Sequence, residues 1–300
     1  MKPLFGVNIN PDSKHIDDSF AIAKLADLYG LDMIGMQDHP YNPNFLDTWT
    51  FLTALAMSTK MVHLMINVAD LPLRPPAMLA KAVASLDLIT KGRIELGMGA
   101  GAFWDGIESL GGIRREPKEA VDAFEEALKI IKLLLNTESS QQQVSFIGRY
   151  YSLKNAQFGP KPYHAIRIWV GGYGARMLKL TGQLADGWTI SLPYLPAENI
   201  PSKKMIIEQS AKEAKREPSS IIVNYNFGGL IVNDNYKHAT SSANVIIATV
   251  NEWVDILQYF YRLGINSFNF WPAGKDKIAQ SELFAKEVVP RAKRSFASVA

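Results

Sequence analysis

The chain has 300 residues, 32 of them Lys or Arg and 29 Asp or Glu, giving a formal net charge of +3, and it contains no cysteine. Disulfides, thiolate catalysis and thiolate metal sites are excluded, and a charge balance this even, with no Lys/Arg run, argues against nucleic acid as a partner. The small positive excess suits an anionic, phosphate-bearing small molecule.

No stretch approaches ~18 consecutive apolar residues, so no membrane span is expected, and residues 1–10 read as a first strand rather than a leader. The cytoplasm is the default expectation. Taken in chain order, residues 4–9 form a short apolar run typical of a strand. In residues 17–29, Phe20, Ile22, Ala23, Leu25, Ala26 and Leu28 recur at helical spacing, and Gly30 stops the helix. Residues 32–36 are the second strand. Residues 47–57 are a helix with Asp47 as N-cap. Residues 62–68 are the third strand and 76–89 a helix with Pro76 in its first turn. Residues 93–99 are the fourth strand. The long helix over 117–135 has Val121, Phe124, Leu128, Ile131 and Leu135 on one face and charges on the other.

The pattern then breaks. Residues 136–165 hold a polar run at 139–143 and a hairpin around Gly148, and read as an insertion. Alternation resumes with strand 166–170, helix 175–185, strand 187–191, a helix within 202–216, strand 221–227, helix 251–263, strand 267–270 and a last helix within 278–292. Eight strand–helix units imply a parallel sheet. No GxGxxG follows the first strand, which disfavours a doubly wound sheet. The expected fold is therefore α/β: one (β/α)8 TIM barrel over residues 1–300, with the insertion after its fourth unit.

In such a barrel the active site lies at the C-terminal strand ends. Polar or glycine residues stand at many of them: Asn8 and Asn10; Gln37, Asp38 and His39; Asn67 and Asp70; Asn224, Tyr225 and Asn226; Asn269 and Trp271. The segment Gly171-Gly172-Tyr173-Gly174 runs from a strand into a helix. Its open N–H groups and the helix N-terminus suit an anion, and Arg176 lies in the first turn. The competing reading is a tight turn needing positive φ, with Arg176 in solvent. Gly97, Gly99 and Gly101 let a flat ligand approach, or serve close packing at the rim. His39 suits proton transfer or a ligand hydrogen bond, against a plain loop histidine. No HxH, HExxH or GxSxG occurs, and His15, His63, His164 and His238 lack ligand spacing, so no metal is expected.

Residues 79–87 (LAKAVASLD) with 91–101 (KGRIELGMGAG), then 170–176 (VGGYGAR) with 185–188 (ADGW), and Gly30-Leu31-Asp32 leading to Asp38-His39, resemble the luciferase-like family of flavin- and deazaflavin-dependent oxidoreductases. The resemblance implies a barrel with an insertion after the fourth unit and a flavin ring over its mouth. A non-prolyl cis peptide at Asn67–Val68 would support the ring on a bulge. Gly99, Ala100 and Gly101 would lie beside the cofactor, and its phosphate would sit at Gly171, Gly172, Tyr173, Gly174 and Arg176. His39 would be catalytic or touch a small organic substrate. A homodimer is expected, through the helices over 47–57 and 76–89 with Trp49, Phe51, Leu55, Met78 and Leu79. Whether a separate reductase supplies the flavin stays open. Two positions depart from the family: Ala100 replaces the Arg of luciferases proper, and Ala102 the acid of many deazaflavin users. The expected cofactor is FMN, in a monooxygenase using oxygen. The alternatives are hydride transfer with a deazaflavin, a non-catalytic flavin-binding protein, or a hydrolase or isomerase using Asp38 and His39.

Overall fold

The computed structural model describes residues 2–136, 142–233, 235–236 and 244–297; His238 and residues 139–141 of the polar run lie outside them. In chain order the elements are β1 (Leu4–Ile9), α1 (Ile16–Leu28), β2 (Met33–Met36), α2 (Thr48–Ser58), β3 (His63–Asp70), α3 (Pro76–Thr90), β4 (Ile94–Gly99), α4 (Trp104–Ser109), α5 (Pro117–Leu135), β5 (Gln143–Ile147), β6 (Ser152–Gln157), β7 (Ile168–Gly171), α6 (Ala175–Leu184), β8 (Gly187–Ser191), α7 (Ile200–Glu213), β9 (Ile222–Val232), β10 (Val245–Thr249), α8 (Val250–Arg262), β11 (Ser267–Pro272), α9 (Lys277–Leu283) and α10 (Val289–Ala297). A π-helical turn, Phe284–Val288, joins the last two helices.

The strands follow the order β9-β11-β1-β2-β3-β4-β7-β8, and β8 pairs back onto β9, so the ring closes. All these pairings are parallel. The expected (β/α)8 barrel is therefore present. The insertion also holds: β5 and β6 pair only with each other, as an antiparallel hairpin outside the barrel. Two elements were not expected, the short α4 and the strand β10. The strand has a simple cause. β8 pairs with β9 only as far as Asn226, while β9 runs on to Val232. β10 covers the exposed edge left by that overrun, from Gly228 to Val232.

Alternation along each strand sorts the side chains. Outward residues such as Val7, Ile34, Leu64, Ile66 and Leu96 pack against the helices in the main core. Inward residues Met33, Met65, Trp169 and Ile222 fill the barrel floor. At the lower end Glu95 is buried and accepts from Arg167 Nε at 3.0 Å, Arg167 Nη2 at 2.6 Å and Trp169 Nε1 at 3.3 Å. His63 Nδ1 stands 3.4 Å from the same carboxylate. A cavity of about 270 Å³ opens there, lined by Met33, Met61, His63, Glu95 and Arg167 among others.

The helices named above for a dimer face divide their apolar residues between the core and the surface. Phe51, Leu55 and Leu79 are buried in their own core, because the 3.6-residue repeat turns them toward the barrel. The outward apolar residues in this region are Met57 and Met78, with Met61 just after α2 and Ile89 at the end of α3. Asp47 caps α2 as expected, accepting from the Thr50 N–H at 2.9 Å.

Candidate active site

Above the apolar floor the barrel interior becomes an uncharged polar layer. Asn226 Oδ1 accepts from Asn8 Nδ2 at 3.0 Å and Asn67 Nδ2 at 2.7 Å. Asn226 Nδ2 donates to the Ile190 carbonyl at 2.9 Å. Thr189 Oγ1 donates to Asn67 Oδ1 at 2.9 Å and accepts from Asn224 Nδ2 at 2.9 Å. Ser267 Oγ donates to Asn224 Oδ1 at 2.9 Å. Asn269 Nδ2 reaches Asn8 Oδ1 at 3.3 Å. Gly6 and Gly35 leave the room for these amides: a Cβ at Gly6 would strike Asn269 Oδ1, and one at Gly35 would strike Asn8 Oδ1. Asn8, Asn224, Asn226 and Asn269, which the sequence offers as pocket groups, are thus buried and bonded among themselves. They brace the platform under the mouth. Hydrogen-bonded networks of this kind hold a site rigid, although Asn269 Oδ1 is buried without a partner.

On that platform β3 bulges. Its register with β4 shifts between Ile66 and Ala69, and the Asn67–Val68 peptide is cis, as expected. Three glycines make way for the Val68 side chain. A Cβ at Gly97, Gly99 or Gly171 would lie 3.1, 2.8 or 3.1 Å from its methyl groups. Gly97, Gly99 and Gly171 thus give the Val68 side chain room at the end of the barrel. Gly101 has φ +98, and a Cβ there would meet Pro72 and Trp104, so it turns the chain between β4 and α4. Ala100 is half-buried between them.

The segment from Gly171 to Gly174 is not a left-handed turn. None of its glycines has positive φ. Gly174 is the N-cap of α6, has no capping side chain, and has nothing within 4 Å of where a Cβ would point. Helix geometry leaves the first-turn N–H groups without intrahelical acceptors. Trp188 Nε1 holds the loop by donating to the Gly172 carbonyl at 2.9 Å. Tyr173 Oη accepts from the Ser191 N–H at 3.3 Å, and burial pushes its phenol up to about 12. Arg176 is half-exposed and donates to Asp122 Oδ1 on α5 at 2.6 Å, so its charge is already shared.

His39 stands in the loop after β2. Its Nδ1 lies 2.6 Å from Tyr41 Oη, and Phe103 packs edge-on against the ring at 5.2 Å. Burial lowers the His39 pKa, and the nearby Asp38 charge only partly opposes that. Burial, then the charges of Asp70 and Asp38, raise the Tyr41 phenol well above its ordinary value. Tyr41 therefore keeps its proton, and the phenol and Nδ1 share one hydrogen bond. The lowered pKa favours the neutral imidazole.

Asp38 does not orient His39. It is almost fully buried, and Arg74 grips it with Nε on Oδ2 at 2.6 Å and Nη2 on Oδ1 at 2.7 Å. The Asp70 N–H adds 2.9 Å to Oδ2, and Arg74 Nη2 also reaches Asp47 at 2.8 Å. The Asp38–His39 hydrolase reading falls with this geometry. Sequence reading missed Arg74, Tyr41 and Phe103. A lone arginine among Leu and Pro at 71–76 was the one available signal. Among the described residues no three His, Asp or Glu side chains come together to hold a metal, and no helix is long and apolar enough to cross a membrane.

The barrel and the motif order are those of flavin- and deazaflavin-binding oxidoreductases. The chain belongs to the luciferase-like monooxygenase family, whose model matches residues 4–289. A phthiodiolone/phenolphthiodiolone dimycocerosates ketoreductase from Mycobacterium kansasii is 37% identical over 179 residues, 59% of this chain and 47% of that one. The chain thus spans about half the length of that curated relative. An F420-dependent secondary alcohol dehydrogenase superposes with a TM-score of 0.86 at 21% identity, covering 97% of this chain and 99% of the other. The F420-dependent tetrahydromethanopterin reductase of Methanopyrus kandleri gives 0.82 at 20% identity, with the same coverages. Identities this low establish the fold. These likenesses count against the expectation of FMN, since both solved structures are of enzymes that depend on the deazaflavin F420.

Proposed function

We propose that the chain is a deazaflavin-dependent oxidoreductase that interconverts a small organic carbonyl compound and its alcohol. The observation that carries this reading is the position of His39 at the strand ends, with its Nδ1 2.6 Å from the Tyr41 hydroxyl; with the phenol donating to Nδ1, the neutral ring presents Nε2–H to the site. A bound 5-deazaflavin supplies or accepts a hydride. The cis pair Asn67–Val68, together with Gly99, Ala100, Gly101 and Gly171, would hold the ring. The N-terminus of α6, reached through Gly172, Tyr173 and Gly174, takes the phosphate of the cofactor side chain. Arg176 turns from Asp122 to add one charge-assisted contact. His39 Nε2–H donates to the substrate oxygen, which polarises the carbonyl.

Fluorescence titration with oxidised F420 and with FMN tests the cofactor. F420 is expected to bind the tighter of the two; binding of FMN alone would overturn the reading. Arg176→Ala is expected to weaken intact F420 about 3–10-fold, the low end for a charge-assisted bond because the residue is half-exposed. A deazaflavin lacking the phosphate-bearing side chain should lose nothing. Equal losses for both would remove Arg176 from the phosphate site.

We further propose a two-fold dimer whose interface includes the outward apolar residues Met57, Met61 and Met78. Sedimentation at micromolar concentration should give a dimer, and Met57→Glu with Met78→Glu a monomer. A parent chain that sediments as monomer would sink this proposal.

A further inference from the structure

The loop that carries His39 begins and ends on one side chain. Arg74 Nη2 donates to Asp38 Oδ1 at 2.7 Å and to Asp47 Oδ2 at 2.8 Å. Asp38 is the residue before His39, and Asp47 is the N-cap of α2. Residues 39–46, with His39 and Tyr41 among them, thus lie between two carboxylates that share one guanidinium nitrogen. Arg74 Nε adds a bond to Asp38 Oδ2 at 2.6 Å, and that same oxygen accepts the Asp70 N–H at 2.9 Å. Asp70 ends β3, two residues past the cis Asn67–Val68 pair. The clamp therefore joins the His39 loop, the start of α2 and the end of the bulged strand.

The backbone of Arg74 is itself constrained. It follows a 3₁₀ turn, Leu71–Leu73, that contains Pro72, and its N–H donates to the Leu71 carbonyl at 3.0 Å. Pro75 comes next and confines Arg74 to extended backbone, seen here as φ −129 and ψ 97. From that fixed base the guanidinium fork meets Asp38 with two bonds, a geometry that an ammonium group does not reproduce. Asp38 is almost fully buried, and the Arg74 side chain is 19% exposed. A buried pair of this kind is a weak source of net stability, because desolvation offsets most of the attraction. Its specific product is geometry. The Asp38 carboxylate takes its bonds from Arg74 and Asp70 and leaves the His39 ring to Tyr41. What the clamp fixes is the chain on either side of that ring, and Pro40 restricts His39 in between.

We propose that Arg74 is a positioning residue of this site: by holding Asp38 and Asp47 on one guanidinium, it fixes His39 and Tyr41 relative to the Asn67–Val68 bulge. The inference rests on reading His39 as the group that meets the substrate oxygen. Arg74 acts through Asp38 and Asp47 and takes no part in the chemistry itself.

Proton NMR of the full chain, without substrate or cofactor, tests this. A tyrosine hydroxyl held 2.6 Å from an imidazole nitrogen is expected to give a downfield proton signal sheltered from exchange. Its absence in Tyr41→Phe and in His39→Ala assigns it. Arg74→Lys keeps the cation and loses the fork, and is expected to lose the signal while remaining folded. The Asp70 N–H should exchange with solvent about 10-fold faster in that variant, the scale of one hydrogen bond to a charged group. Arg74→Met combined with Asp38→Asn serves if Arg74→Lys does not fold, because it leaves no unpaired charge at Asp38. It too should lose the signal, at a melting temperature near that of the parent. No downfield signal in the parent, or one that survives in either variant, would overturn the proposal. So would a signal lost only together with the folded amide spectrum, which would make Arg74 a residue of general stability. F420 titration of the parent separates the two readings. Loss of the signal on removing the clamp, in a chain that binds no F420, would keep the clamp and remove the cofactor.

Discussion

Replacing His39 with alanine is expected to lower turnover about 10²–10⁴-fold while F420 affinity and melting temperature stay close to those of the parent. The ring touches Tyr41 and Phe103 at its edges and is not part of the amide platform, so its loss leaves the barrel interior intact. What disappears is the Nε2–H donor to the substrate oxygen. The pH dependence carries a sign. Burial lowers the His39 pKa from 6.5, so the neutral ring persists through pH 7 and becomes protonated only in more acidic solution. Turnover that depends on the neutral ring should fall on the acid side of 6.5. Single-turnover hydride transfer, followed by the absorbance of the deazaflavin, measures it directly. Unchanged rates in His39→Ala with a lowered melting temperature would reassign the residue to structure. Tyr41→Phe is the companion variant: it keeps the ring and its packing and removes the donor at Nδ1, so its loss should be smaller.

At the opposite end of the barrel, Glu95→Ala is expected to destabilise the fold by about 3 kcal/mol, the low end for breaking a buried ion pair because Arg167 keeps one side in water. Burial alone would raise the Glu95 pKa. The contacts from His63 and Arg167 outweigh it and hold the carboxyl below its usual value. A carboxylate with a depressed pKa in the folded state stabilises the protein above the unfolded value of 4.5. That contribution is lost as the pH falls below 4.5, through the folded pKa. Urea unfolding at pH 7 and pH 4 should therefore show Glu95→Ala closing part of its gap to the parent at the lower pH. Two equal gaps would mean that the carboxylate is stabilised by something other than its charge. Glu95→Gln keeps the volume and the acceptor and should cost less at pH 7.

The barrel itself was readable because its signals are local. The short runs at 4–9 and 187–191, a period of 3.6 in 117–135, the Pro76 start and the Asp47 cap each act within one element, and those bounds match the structure closely. The family was readable because ordered glycine and acidic motifs survive as strings. The candidate site was legible only in part. His39, the bulge at Asn67–Val68 and the glycine run before α6 were visible as residue types at strand ends. Their neighbours were not. Arg74 meets Asp38 across 36 positions of sequence, and Asn226 bonds Asn8 across 218.

The sequence by itself determined the eight-unit barrel, the hairpin insertion and the family, since hydrophobic period, turn chemistry and motif order are properties of neighbouring residues. Only the tertiary structure decided what each polar group does. Closing the ring set Asn8, Asn67, Asn224 and Asn226 against one another. The fold of the β3–α3 loop gave Asp38 to Arg74 instead of His39. The overrun of β9 recruited β10, and the turn of α2 and α3 took Phe51, Leu55 and Leu79 into the core. Each of these outcomes depends on which distant groups share one small, dry space, where every donor and acceptor must find a partner or carry the cost of having none.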